Sequence, residues 1–204
     1  VWTKAANRGA KIVLEYSDGS FAWAPLSFPF SASNTHTFSN ASTPDEIALR
    51  FSFPVPVRVC GAWLYIDLDG DIDVVLYNGT TALATVSIDK DVRGADGASL
   101  SYVLFDPQTL TASAAYRLAV KPTSATTVVV YSWDVASANY FDQLEGGQNF
   151  YFSGRTDAGA WSDTTTRRPM SFGLLLDGID DGAGGAAGGS PIVSSGGGGI
   201  VRAA

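Results

Sequence analysis

Glu46-Ile-Ala-Leu-Arg-Phe-Ser-Phe53 is the stretch that decides the fold. Ile47, Leu49, Phe51 and Phe53 fall on one side of an extended chain, and Glu46, Arg50 and Ser52 fall on the other. A period of two predicts a strand with one face in a core and one wet face, and Pro54 and Pro56 end it. The alternation returns in Ser99-Leu-Ser-Tyr-Val-Leu-Phe105 and in Tyr116-Arg-Leu-Ala-Val-Lys121, where Tyr116, Leu118 and Val120 oppose Arg117 and Lys121. Val57-Arg-Val-Cys-Gly-Ala-Trp-Leu-Tyr-Ile66 and Thr126-Thr-Val-Val-Val-Tyr-Ser-Trp133 are apolar on both faces or nearly so. They are expected as central strands covered on both sides, with Trp63 and Trp133 in the core.

Turn chemistry completes the pattern. Asn78-Gly79 tolerates left-handed backbone and predicts a tight hairpin between Ile72–Tyr77 and Thr81–Ile88. Further strands are expected at Ala10–Tyr16, Phe21–Ala24, Gln148–Ser153 and Met170–Leu176, with Asp18-Gly-Ser joining the first two. A short helix, or a loop crossing the molecule, fits Asp134–Glu145 before Gly146-Gly147. About ten short strands without a βαβ rhythm add up to an all-β, two-sheet antiparallel sandwich of jelly-roll type, with an immunoglobulin-like topology as the alternative. The reading divides the chain into an N-terminal arm or peripheral hairpin over residues 1–42, a sandwich over 43–181 and a glycine-rich tail over 182–204.

Composition narrows the function classes. The chain has 204 residues, 46% apolar and 12% aromatic, enough for a sizeable core. A formal charge of −7 argues against nucleic-acid binding, because no basic face is available to displace counterions from phosphates. No apolar run approaches the ~20 residues of a membrane span, so no membrane insertion is expected. The first residues lack a signal-peptide h-region, and the start at Val1 leaves a removed leader open. Cys60 is the single cysteine and reads as a small buried hydrophobe, with no disulfide scaffold.

Three constellations are candidates for function. Asp67, Asp69, Asp71 and Asp73 place four carboxylates within one turn, the oxygen-rich chemistry that suits calcium. The run lacks the glycine and glutamate of an EF-hand loop, and a solvated hairpin carries four such charges without a metal, so no cofactor is required. Tyr151, Arg155 and Trp161 lie in or beside Gly154–Thr166, where aromatics next to hydrogen-bonding groups suit a sugar. The alternative is that Trp161 plugs its loop onto the body or a neighbouring subunit. His36 is the only histidine, expected in a surface loop, and no nucleophile elbow, paired carboxylates or phosphate-cradling loop accompanies it. The chain is therefore not expected to be an enzyme.

The tail carries the expectation about partners. Ordering about 20 glycine-rich residues costs on the order of 20 kcal/mol of backbone entropy, while burying Ile192, Val193, Ile200 and Val201 returns roughly 8 to 10 kcal/mol. Such a tail gains a fixed path by lying along neighbouring subunits. That points to a homo-oligomer, or to contacts with other structural proteins.

Ile47–Phe51, Val59–Ile66, Asp73–Tyr77 with Leu83–Val86, Tyr102–Pro107 and Leu110–Val120 together resemble a group of β-sandwich domains of uncharacterised function. These are related in pattern to carbohydrate-binding modules and occur as appendages of phage structural and secreted proteins. In such families a glycine precedes the last of these strands, where Ser113 and Ala114 stand here. The resemblance implies a virion or extracellular surface location. It implies a structural, self-assembling role for the chain, or alternatively a carbohydrate-binding or host-adhesion role with surface glycans as partners.

Overall fold

The computed structural model of the chain describes residues 10–15, 21–26, 34–53, 56–93, 97–134, 151–169, 172–179 and 200–202. The chain divides into two units, Val1–Ala32 and Ser33–Ala204. In the first, β1 (Ala10–Glu15) pairs antiparallel with β2 (Phe21–Leu26), with Ala10 opposite Leu26 and Glu15 opposite Phe21. This is the hairpin expected near the N-terminus.

The second unit is a two-sheet β-sandwich. Its elements in order are β3 (Asn34–Phe38), β4 (Glu46–Phe51), β5 (Val57–Leu68), β6 (Ile72–Asn78), β7 (Thr81–Ile88) and a helical turn α1 (Lys90–Arg93). There follow β8 (Ser99–Leu110), β9 (Tyr116–Pro122), β10 (Val128–Asp134), β11 (Tyr151–Arg155), β12 (Ser162–Thr164), β13 (Arg167–Pro169), β14 (Phe172–Ile179) and β15 (Ile200–Arg202). One sheet has six strands in the order β12-β11-β4-β9-β6-β7. The other has seven, β13-β10-β5-β8-β15, with β14 also on β5 and β3 also on β10. All these pairs are antiparallel except β15 with β8.

The two inner faces make the core. Ile47, Leu49 and Phe51 meet Leu118, Val120, Val74 and Leu76 from their own sheet and Val59, Leu64, Ile66, Val103 and Val128 from the other. Each such side chain gains roughly 1.5–3 kcal/mol from leaving water. The turn at Asn78-Gly79 is where the sequence places it, and Gly79 has φ +60°, the left-handed backbone a tight turn needs.

Several expectations need correction. The arm was expected to run to residue 42, yet β3 already belongs to the sandwich, pairs with β10 and buries Phe38. The sandwich likewise reaches beyond residue 181, because β15 joins it. His36 is on β3 and not in a surface loop; its Nε2 lies 2.6 Å from Ser132 Oγ and its ring packs on Phe152. Trp63 is half-buried on the outward face of β5, opposite the core residues Ala62 and Leu64, so that strand is not sealed on both sides. The Trp133 side chain and residues 135–145, where a short helix was expected, lie outside the described residues, as do Ile192 and Val193.

Candidate functional site

The outward face of the six-stranded sheet gathers a group of charged side chains from five strands. Strand register sorts it into three rows. The first holds Arg155 opposite Glu46, and Lys121 opposite Asp73. The second holds Ser153, Ala48, Ala119 and Val75, and the third Tyr151, Arg50, Arg117 and Tyr77. The middle row is small, and this is where the expected wet side fails. Ala48 and Ala119 are fully buried, Glu46 is 1% exposed and Arg155 6%.

Trp161 closes the face. It packs on Ala48, Val75, Tyr77 and Ala119 from the loop between β11 and β12. Asp157 and Ala158 take left-handed backbone in this loop (φ 52° and 54°), the Gly159 N–H donates to Thr156 O, and the Asp157 N–H donates to Asp45 Oδ2 at 3.0 Å. The Trp161 indole N–H reaches Gly79 O across the sheet at 3.2 Å. The guanidinium carbons of Arg155 and Arg117 lie 4.4 and 5.1 Å from the Trp161 ring centre, and the Tyr77 ring meets Trp161 edge-on. Cation–π contacts of this kind are worth about 0.5–2 kcal/mol each.

Two carboxylates of this face collect the cations. Arg155 Nε donates to Glu46 Oε2 at 2.7 Å, and Lys121 Nζ lies 3.6 Å from Glu46 Oε1. Asp163 accepts from Ser153 Oγ at 2.6 Å and from Arg117 Nη2 at 3.0 and 3.1 Å, while Arg50 Nε lies 3.2 Å away. Burial pushes the Asp163 carboxyl up, but the hydrogen bonds from Ser153 and Arg117 and the charges of Arg117 and Arg50 outweigh it and hold the group below the ordinary carboxylate value. Burial and the Glu46 charge raise the Tyr77 hydroxyl. For Arg155 burial acts downward, and the Glu46 hydrogen bond and charge overcome it, raising the group. A buried pair of this sort adds little net stability against an apolar substitute but is costly to break.

The proposed sugar residues are thus only partly united. Trp161 and Arg155 touch, while Tyr151 sits at the other end of β11 with Arg50 over its ring at 5.4 Å. Arg155 is committed to Glu46, and the Trp161 ring carries two guanidinium groups. Trp161 packs its loop onto its own body. Nor do the four aspartates converge. The chain crosses from one sheet to the other between β5 and β6, so Asp67 belongs to the first and Asp73 to the second. Asp69 accepts from Thr127 Oγ1, Asp71 from the Lys90 N–H and Asp73 from Ser87 Oγ. Among the described residues no cluster of three metal-ligating side chains exists.

The tail was expected to be held by neighbouring copies. Its end, Ile200–Arg202, runs parallel to Tyr102–Leu104 of the same chain. Sequence reading missed the pairing of Glu46 with Arg155 and, separately, the cluster of Ser153, Arg117 and Asp163. The available signal was Ala48 and Ala119, small residues on faces otherwise polar, which mark a place where something packs.

Comparison with known proteins found no matching family, no matching characterised protein and no matching solved structure. Fold and site therefore define a class only: an all-β, two-sheet sandwich with an ion-paired outer face sealed by a tryptophan. Among the described residues no helix is long and apolar enough to cross a membrane.

Proposed function

We propose that this chain is a structural, self-associating β-sandwich module of a viral (phage) particle or comparable extracellular surface assembly, in which copies exchange their C-terminal strands. The observation that supports this reading is β15. It is a three-residue strand added in parallel to the edge of β8, at the end of the glycine-rich stretch that follows β14. A ladder of three residues contributes only a few net hydrogen bonds at about 1 kcal/mol each. The same three residues fit the β8 edge of a second copy, so exchange replaces one contact with an identical one and costs little enthalpy. The glycine-rich stretch is the connection such an exchange needs, because it has few side chains to obstruct close passage along another backbone. Light scattering after size exclusion tests the reading on the full chain and on a chain ending at residue 182. The full chain is expected to form concentration-dependent oligomers and the shortened chain to be a folded monomer. Normal association of the shortened chain, or a full chain monomeric at every concentration, refutes it.

A further inference from the structure

We propose that the outward face of the seven-stranded sheet is a carbohydrate-binding platform, formed by Trp63, Tyr65, Tyr102 and Tyr131 and taking a neutral glycan chain. Alternation places these rings. Ala62, Leu64, Val103, Val128 and Val130 enter the core, so their neighbours Trp63, Tyr65, Tyr102 and Tyr131 lie on the opposite face. Trp63 stands directly opposite Tyr102 on β8. Tyr65 follows two residues along β5, and its ring centre is 6.2 Å from that of Tyr131. The four rings thus form one continuous strip across β8, β5 and β10. Tyr65 is 38% exposed, and the other three are half-buried.

A second observation concerns how Trp63 lies. A Cβ built on Gly173 of β14 would fall 2.6, 2.7 and 2.9 Å from Nε1, Cε2 and Cζ2 of the Trp63 indole. Three consecutive ring atoms at nearly equal distance mean that the indole is laid over the neighbouring backbone. Glycine at 173 permits this. A ring lying along the sheet is a flat apolar surface of the kind on which the C–H face of a pyranose stacks.

The surrounding groups favour a neutral polyol. Thr35 and Thr37 are exposed on the same face of β3, opposite Tyr131 and Val129, and Asp67 stands two residues beyond Tyr65. Hydroxyls, phenols and a carboxylate suit sugar hydroxyls, and the Asp67 charge, in a chain of net charge −7, repels phosphate or sulfate. Burial first, then the charges of Asp67 and Tyr65, raises the Tyr131 hydroxyl, which keeps it a protonated donor. Trp161 takes no part in this site, and only its β8 end borders the C-terminal strand, where Tyr102 stands opposite Ile200.

Affinity electrophoresis of the full chain through gels containing soluble β-glucan, xylan, galactomannan or heparin tests the assignment. At least one neutral polysaccharide is expected to retard the protein. Replacing both Tyr65 and Tyr131 by Ala is expected to weaken that binding about tenfold or more, a loss of about 1.4 kcal/mol. Tyr65→Phe keeps most of it, and Trp161→Phe leaves it unchanged. Circular dichroism and size exclusion on each variant separate lost binding from lost folding. Retardation by none of the neutral polysaccharides, retardation by heparin alone, or undiminished binding by the folded double variant overturns the proposal. So does a fall in oligomeric mass on replacing the two tyrosines, which would make the strip a contact between copies.

Discussion

Replacing Glu46 by Gln keeps the size of the side chain and removes its charge. Arg155 is then left 6% exposed, with its cation against Trp161 and beside Tyr77 and without the carboxylate that pairs with it among the described residues. A solvent-exposed pair would be worth about 0–1 kcal/mol, but Glu46 is 1% exposed and its bond to Arg155 is 2.7 Å, so the buried case applies. Breaking such a pair from one side costs about 3–5 kcal/mol. For a domain of this size that corresponds to a fall in Tm of roughly 6–20 °C. Arg155→Leu is expected to cost somewhat more, because it also removes the contacts with the Trp161 and Tyr77 rings. The double replacement Glu46→Leu with Arg155→Leu leaves no orphan charge and is expected to recover most of the loss. Urea unfolding followed by tryptophan fluorescence, repeated at several protein concentrations to separate folding from association, measures all three. Single losses under about 1 kcal/mol, or a double variant equal to the sum of the singles, would refute the buried-pair argument.

Two further outcomes follow from the same geometry. Gly173→Ala places a methyl group against the Trp63 indole and is expected to cost about 1–3 kcal/mol and to red-shift the emission of Trp63. Trp63→Phe in the same chain relieves part of that cost, and an unchanged unfolding midpoint in Gly173→Ala would show that the indole lies elsewhere. Asp163 is held below its ordinary value of 3.8. Its contribution is therefore fully present above that value and lost as the pH falls through the lower folded one. Between pH 5 and about 2 the parent chain should lose more stability than Asp163→Asn, and equal slopes in acid titrations of the two would contradict the assignment.

What the sequence discloses and what it conceals have separate physical causes. Alternation in Glu46–Phe53 and Tyr116–Lys121 identifies the inner faces because apolar side chains have one favourable destination whatever their partner. The outward faces are different. Whether Arg117 or Glu46 meets water depends on Trp161 arriving from another part of the chain, and nothing local to either strand encodes that arrival. The aspartates illustrate the same limit: seven residues of sequence look like one turn, yet they straddle two sheets. Val57–Ile66 is apolar on both sides, so its pattern cannot say which face is outward. The glycine that lets Trp63 lie down comes from β14, which meets β5 only through the fold.

The order of strands has a consequence for how the molecule forms. β4 finds its two neighbours in β9 and β11, and Ile47 is opposite Val120 and Gly154. Closing those distant loops carries an entropic toll that local hairpins avoid. A nascent chain can zip β6 onto β7 through the Asn78-Gly79 turn as soon as it emerges. The central ladder of the same sheet must wait for β9, so this sandwich is expected to assemble from a hairpin at one margin toward a middle that is completed late.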